Sequence, residues 1–377
     1  AVNVELTVTA ITTNGAFTIS DITGQIDASS VTAINTNNSA LSWTSSQNSS
    51  SAIDIGNAVI TADSISLAAT DSNGGISAGA AARFNLGGTN FININQGQDI
   101  SIGTSGILQA AFVDPTEIDL IVTSTNGSVT IDSAFESGSS QNWNSLTVTA
   151  ENDATISQNQ DSTGAIVVTT TSGDINTSGA DLDSSLSITL QSSGGNISLQ
   201  NITGNEITIQ DTNIASDNTI SFSGASTLDA RTVGDITLTA EDMTADNNVI
   251  LQNVDDVVLD IDDTISFSAG SFTITSGGEI TATNPVATSV SSGSITWTSN
   301  SSVASSINLG SNNLQADDIT LTTPEATGSI SVTDGTFGVN SGGGTITINT
   351  QTSQTWGDTT DGEFRLDSQN QGVANLV

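Results

Sequence analysis

The sequence predicts an all-β fold of the solenoid kind, in which short strands wind coil upon coil around a narrow aliphatic core. Three observations predict it. Apolar and polar residues alternate with period two in runs of four to six along almost the whole chain, the pattern of strands with one buried and one solvated face. Turn formers such as Ser72-Asn-Gly-Gly75, Ser193-Gly-Gly-Asn196 and Ser341-Gly-Gly-Gly344 separate the runs, supplying positive φ at little cost. The core formers are Ile, Leu and Val, with 10 Phe, 4 Trp and no Tyr among 377 residues. That is too few large rings for a string of β-sandwiches, which would also repeat at about 100 residues per domain.

Taken along the chain, the strands begin at Glu5-Leu-Thr-Val-Thr9 and Asp63-Ser-Ile-Ser-Leu67 and continue through Leu146-Thr-Val-Thr149, Ser187-Ile-Thr-Leu190, Asn196-Ile-Ser-Leu199 and Glu206-Ile-Thr-Ile209. Thr219-Ile-Ser-Phe222, Asp235-Ile-Thr-Leu238, Thr264-Ile-Ser-Phe267, Asp318-Ile-Thr-Leu321 and Thr345-Ile-Thr-Ile348 complete the series. Each places β-branched or aliphatic side chains on one face. The runs around Leu120 and Leu251 are more continuously apolar, but too short and too β-branched for helix. Strand centres at Ile188, Ile197, Ile207 and Ile220 lie about ten residues apart, so two or three strands per turn make a coil of roughly twenty or more residues, the scale of solenoid repeats.

A longer period overlies this one. Leu41-Ser-Trp-Thr-Ser45 aligns with Ile295-Thr-Trp-Thr-Ser299 at an offset of 254, and from 41 to 95 the register runs without a gap, 17 of 55 positions being identical. Upstream, Gly15-Ala-Phe-Thr-Ile19 matches Gly270-Ser-Phe-Thr-Ile274, with one residue fewer before Gly278-Glu-Ile280 meets Gly24-Gln-Ile26. The matched positions are inward apolar residues and turn glycines, as a duplicated scaffold would retain. The expected organisation is a continuous solenoid over 1–349, in which 15–95 resembles 270–349, followed by a divergent segment 350–377 that caps the stack or meets a neighbour.

Composition excludes whole classes of chemistry. With 40 Asp+Glu against 3 Lys+Arg the formal charge is −37, so binding to nucleic-acid phosphates is not expected. The chain has no Cys and no His, which removes zinc sites, thiol nucleophiles and His-based triads. No apolar run approaches the length of a membrane span. Ala1 in place of Met suggests a processed or trimmed chain, and Ser/Thr/Asn richness without any Lys points to an extracellular or cell-surface location.

Strings such as Gly195-Asn-Ile-Ser-Leu199, Asp235-Ile-Thr-Leu-Thr-Ala240 and Gly328-Ser-Ile-Ser-Val332 resemble the strand-turn repeats of filamentous-haemagglutinin-like bacterial surface exoproteins. The resemblance implies a right-handed parallel β-helix, an elongated rod with a surface, adhesive or filament role. One departure is that no secretion domain with an Asn-Pro-Asn-Gly turn opens the chain. The expected function is that of a structural protein of an extracellular fibre or cell-surface filament, a non-enzymatic, stiff acidic solenoid assembling end to end with itself or with other surface proteins. The alternatives are an adhesin stalk that binds a receptor or glycan, and a tailspike-like glycan hydrolase. No catalytic or cofactor-binding residue is assigned.

Four groups of residues are weighed as sites. Asp255, Asp256, Asp260, Asp262 and Asp263 form the densest carboxylate cluster, oxygen ligands of the kind Ca²⁺ takes, although no Asp-x-Asp-x-Asp-Gly loop is present; the competing reading is a solvated face at strand ends. Val4, Leu6 and Val8 near one end and Trp356 and Phe364 near the other are the expected interface residues for head-to-tail contact, because an unblocked strand edge recruits another chain. Trp43 and Trp297, equivalent across the duplication, are read as structural rather than as a sugar-stacking platform. Thr-x-Thr pairs at Thr7/Thr9, Thr237/Thr239 and Thr345/Thr347 resemble ice-binding faces, which need long ranks in register; the irregular coil length argues against them.

Overall fold

A computed structural model describes residues 2–78, 82–86, 91–96, 100–102, 119–131, 144–213, 218–231, 234–333, 335–340, 344–351, 355–356, 365–368 and 375–376. The fold is an all-β parallel solenoid of about 13 turns, and among the described residues no helix occurs. Two compact units divide it, Ala1–Ser185 and Leu186–Val377.

The first unit opens with four coils of three strands each. Val4–Glu5, Ala10–Thr12 and Phe17–Ile22 make the first coil; Ile26–Asp27, Ala33–Asn35 and Leu41–Ser45 the second. Ile53–Asp54, Val59–Ala62 and Ile65–Ala69 follow, then Ile76–Ser77, Arg83–Leu86 and Phe91–Gln96. Each strand pairs in parallel with its counterpart one coil on, as Ile26 does with Ile53 and Leu41 with Ile65. The sheet that contains Leu41–Ser45 continues through Asp119–Ser124, Ser145–Ala150 and Ile166–Thr170. A parallel ladder buries its inward side chains between coils, so every second residue must be apolar or internally satisfied.

In the second unit the first strands of three parallel sheets are Ser187–Ser192, Ile197–Leu199 and Ile202–Thr203, and the ladders run on through successive coils. Ile188, Ile207, Ile236, Val257, Ile280, Ile307 and Ile330 lie one above another, and each is no more than 1 % exposed. A fully buried Val or Ile contributes about 1.5–3 kcal/mol, so one such column is a large share of the driving force. Coil length nevertheless varies widely. Ile188 and its partner Ile207 are 19 residues apart, while Ile207 and Ile236 are 29 apart. The paired residues of the ladder nonetheless stay opposite one another across both spacings.

Several strands end inward on a polar residue that secures the corner. The Ser45 hydroxyl donates to the Gly24 carbonyl at 2.8 Å, Thr170 to Gly173 at 2.7 Å, and Ser299 to Gly278 at 2.6 Å. These hydroxyls are buried and each finds a carbonyl partner, as a buried polar group must.

The expected strand Glu5–Thr9 is a correction. Only Val4–Glu5 pairs, with Ile26–Asp27, and Thr7–Thr9 lie outside any strand. Val8 is 49 % exposed, so alternation there buries no face.

Candidate functional site

The carboxylates of the densest acidic cluster are spread by the strand that carries them. Val257–Ile261 is a strand with Val257, Leu259 and Ile261 buried, as alternation required. Asp255 and Asp256 precede it and Asp262 and Asp263 follow it. An extended chain rises about 3.3 Å per residue, which holds the two pairs well beyond the span of one coordination shell. Asp256 and Asp260 are also engaged: one Asp256 carboxylate oxygen accepts the Glu279 N–H at 2.6 Å, and Asp260 accepts the Asn284 amide. Among the described residues no three or more Asp or Glu side chains group to hold a metal. The arrangement is one of intercoil staples, in which a carboxylate on one coil caps a backbone N–H on the next.

The same device recurs. Asp242 accepts both the N–H and the hydroxyl of Thr264, at 3.1 and 2.7 Å, and Asp318 does the same for Thr345, at 2.8 and 2.7 Å. Asp229 accepts three hydrogen bonds, from the Arg231 N–H and the Gln252 and Asn253 amides. Partial burial pushes its pKa up, but hydrogen bonds from the Arg231 N–H and the Asn253 and Gln252 amides, with the Arg231 charge, outweigh that and hold it below the usual carboxylate value. Such a group stabilises the fold above the unfolded pKa and loses that contribution as pH falls through its lower folded value.

Thermal stability is therefore expected to rise with NaCl, because screening at a Debye length of about 8 Å relieves repulsion at a charge of −37. At matched ionic strength Ca²⁺ is expected to add no more than Mg²⁺ in a melting experiment. A rise specific to Ca²⁺ that disappears in Asp256→Asn would show that these carboxylates gather a cation after all.

The two tryptophans that the internal alignment pairs occupy matching interiors. Trp43, in register with Ile19, meets Phe17 edge-on at 5.7 Å and 89°; Trp297, in register with Ile274, meets Phe272 at 5.5 Å and 86°. Both are wholly buried, and neither indole N–H has a hydrogen-bond partner. A sugar cannot stack on a ring that solvent does not reach, so the structural reading holds. The surroundings repeat as well. Ser45 and Ser299 bond to Gly24 and Gly278, Asn3 and Asp256 accept the N–H groups of Gln25 and Glu279, and Gly56 and Gly310 both have φ 53°.

Of the expected interface residues, Val4 and Leu6 are half-buried and donate their N–H groups inward, to the carbonyls of Gln25 and Asp27 at 2.8 and 2.7 Å. Their neighbour Glu5 lies on a strand that ends its sheet. Trp356 pairs through its backbone with Val332; Phe364, like Trp143, lies outside the described residues.

The structure also assembles a feature that spacing concealed. In the second unit Thr273, Thr296, Thr320 and Thr347 stand one above another, and beside them Thr275, Thr298, Thr322 and Asn349. These are outward positions on Gly270–Ser276, Gly293–Ser299, Asp318–Thr323 and Thr345–Thr350. The only readable signal was a Thr-x-Thr in each strand. Compared with protein-family models, with curated proteins and with solved structures, the chain matches none.

Proposed function

We propose that this protein is a structural component of an extracellular fibre or cell-surface filament, of the filamentous-haemagglutinin-like kind, in which the solenoid is the working part. The observation that carries the reading is the stacking itself. Within each unit, parallel ladders and aliphatic columns pass from coil to coil, and the ionisable side chains that stand out are engaged in binding one coil to the next. Such a stack resists bending because any tilt breaks ladder hydrogen bonds, each worth about 1 kcal/mol net, and opens the columns. The acidic surface keeps neighbouring copies apart until a specific contact forms.

That contact is proposed to be head to tail. Val4–Glu5, Ala10–Thr12 and Phe17–Ile22 each end their sheets, and a strand with an unpaired side accepts another. A contact of this kind that does not close on itself builds a filament. Because Val4 and Leu6 spend their N–H groups inside the coil, the discriminating substitution is Glu5→Pro, which removes an outward donor and leaves the inner ladder whole. Filaments visible by electron microscopy are expected to shorten or vanish in Glu5→Pro and in Val8→Lys. If wild-type protein forms no filaments, or both variants polymerise with an unchanged axial repeat, head-to-tail assembly is wrong.

A further inference from the structure

We propose that the threonine face of the second unit is an ice-binding surface, a role independent of fibre formation. Three ladders without a register shift join Gly270–Ser276, Gly293–Ser299, Asp318–Thr323 and Thr345–Thr350. They place Thr at seven positions of a four-by-two array, with Asn349 at the eighth. Successive coils lie about 4.8 Å apart and alternate residues along a strand about 6.6 Å apart, so the array repeats in two directions. The irregular coil length that argued against such a face leaves these ladders undisturbed: the partners of Thr296 are 23 residues back at Thr273 and 24 residues on at Thr320, and Thr347 lies a further 27 on, all in register.

The chemistry of the array narrows the partner. The hydroxyls of Thr273, Thr296, Thr320 and Thr347 make no hydrogen bond among the described residues, and in the second rank Thr322 accepts the Asn349 amide at 3.5 Å. Each Thr is β-branched and stiff at χ1, and most are half-buried by their neighbours in the rank, so methyls and hydroxyls are held in place before anything binds. No charged side chain interrupts the two ranks; Asp318, at their margin, is occupied by Thr345. A glycan would want an aromatic platform, and the ranks contain none. A folded protein would want about 800 Å² per partner, whereas an array of about 14 by 7 Å offers on the order of 100–200 Å² at these strand spacings. The remaining partner, periodic in two directions, uncharged and able both to accept and to donate at every hydroxyl, is a crystalline water lattice. The matching outward ranks of the first unit, Thr18, Ser42, Ser66 and Asn93 beside Thr44 and Ala68, lack this uniformity.

The test grows ice slowly from a solution of the full chain and measures the protein in the solid and liquid fractions, with crystal shape followed by microscopy. Wild type is expected to enter the ice and facet the crystals. The Thr296→Lys, Thr320→Lys double variant is expected to be excluded, while Thr244→Lys, on a different strand, behaves as wild type; circular dichroism and melting confirm folding. Should the Lys pair not fold, Thr296→Ser with Thr320→Ser, which strips the methyls alone, is expected to reduce incorporation. Exclusion of the wild type from ice, or undiminished incorporation of the folded rank variants, overturns the proposal and leaves the fibre reading untouched.

Discussion

Trp297→Ala is expected to cost the second unit about 3–5 kcal/mol, the range for deleting a large buried aromatic. The ring is wholly buried and pinned on both sides: Ile274 and Leu321 lie in register with it on the adjoining coils, and Phe272 meets it edge-on at 5.5 Å. Ladder hydrogen bonds hold those neighbours at fixed spacing, so the cavity cannot collapse, and the edge-on pair, worth about 0.5–1.5 kcal/mol, is lost as well. Trp297→Phe is expected to cost much less. It keeps most of the apolar volume and removes an indole N–H that is buried without a partner, a group whose desolvation costs about 1–3 kcal/mol. Trp43→Ala should reproduce the effect in the first unit. Because a solenoid's stability is a sum of local terms, each alanine variant should split off an early transition in a calorimetric scan. A cost below about 1 kcal/mol for Trp297→Ala would mean that the coils relax far more than parallel ladders should allow.

Gly293→Ala is expected to be as damaging, through the backbone. Gly293 has φ +144°, and a Cβ there would lie 1.6 Å from the Gly270 carbonyl oxygen. Gly270, its register partner, has φ +87°. Neither can move freely: Gly270 donates to Ser292, and Gly293 donates to the Asp317 carboxylate and accepts the Asp317 N–H. Strain of about 1–2 kcal/mol from the backbone adds to about 1–3 kcal/mol of overpacking. Gly224→Ala is the comparison, since φ there is +74° but nothing lies within 4 Å of the added methyl. It should show the conformational cost alone. Equal losses of melting temperature at the two sites would refute the steric account.

These two sites show what could be read in advance. The match between Gly15-Ala-Phe-Thr-Ile19 and Gly270-Ser-Phe-Thr-Ile274 flagged Gly270 and Phe272 from sequence, and the alternation Thr219–Phe222 and Thr264–Phe267 became strands with those bounds. Alternation fails where an inward position is polar. Glu206–Asp211 and Ser187–Ser192 run two residues past their last aliphatic side chain because Asp211 and Ser192 are buried and internally bonded. Gln160–Ser162 was invisible for the same reason. For the acidic cluster, alternation correctly turned Asp260 outward, but closeness in sequence is not closeness in space along an extended strand. The threonine ranks show the converse, since residues 23 to 27 apart became neighbours through pairing that no local pattern encodes.

The variable coil length has a consequence for descent. Between the two copies the offset is 253 at Asn3 and Asp256, 255 at Phe17 and Phe272, and 254 at Trp43 and Trp297, yet each pair makes the same contacts. The spacing thus differs by single residues without disturbing what lies over what. Loop closure costs little more when a loop lengthens by a residue, so selection on the ladders leaves spacing almost free to drift. In a chain built this way ancestry is carried by vertical adjacency, and two descendants can diverge in every distance along the sequence while their coils still superpose residue on residue.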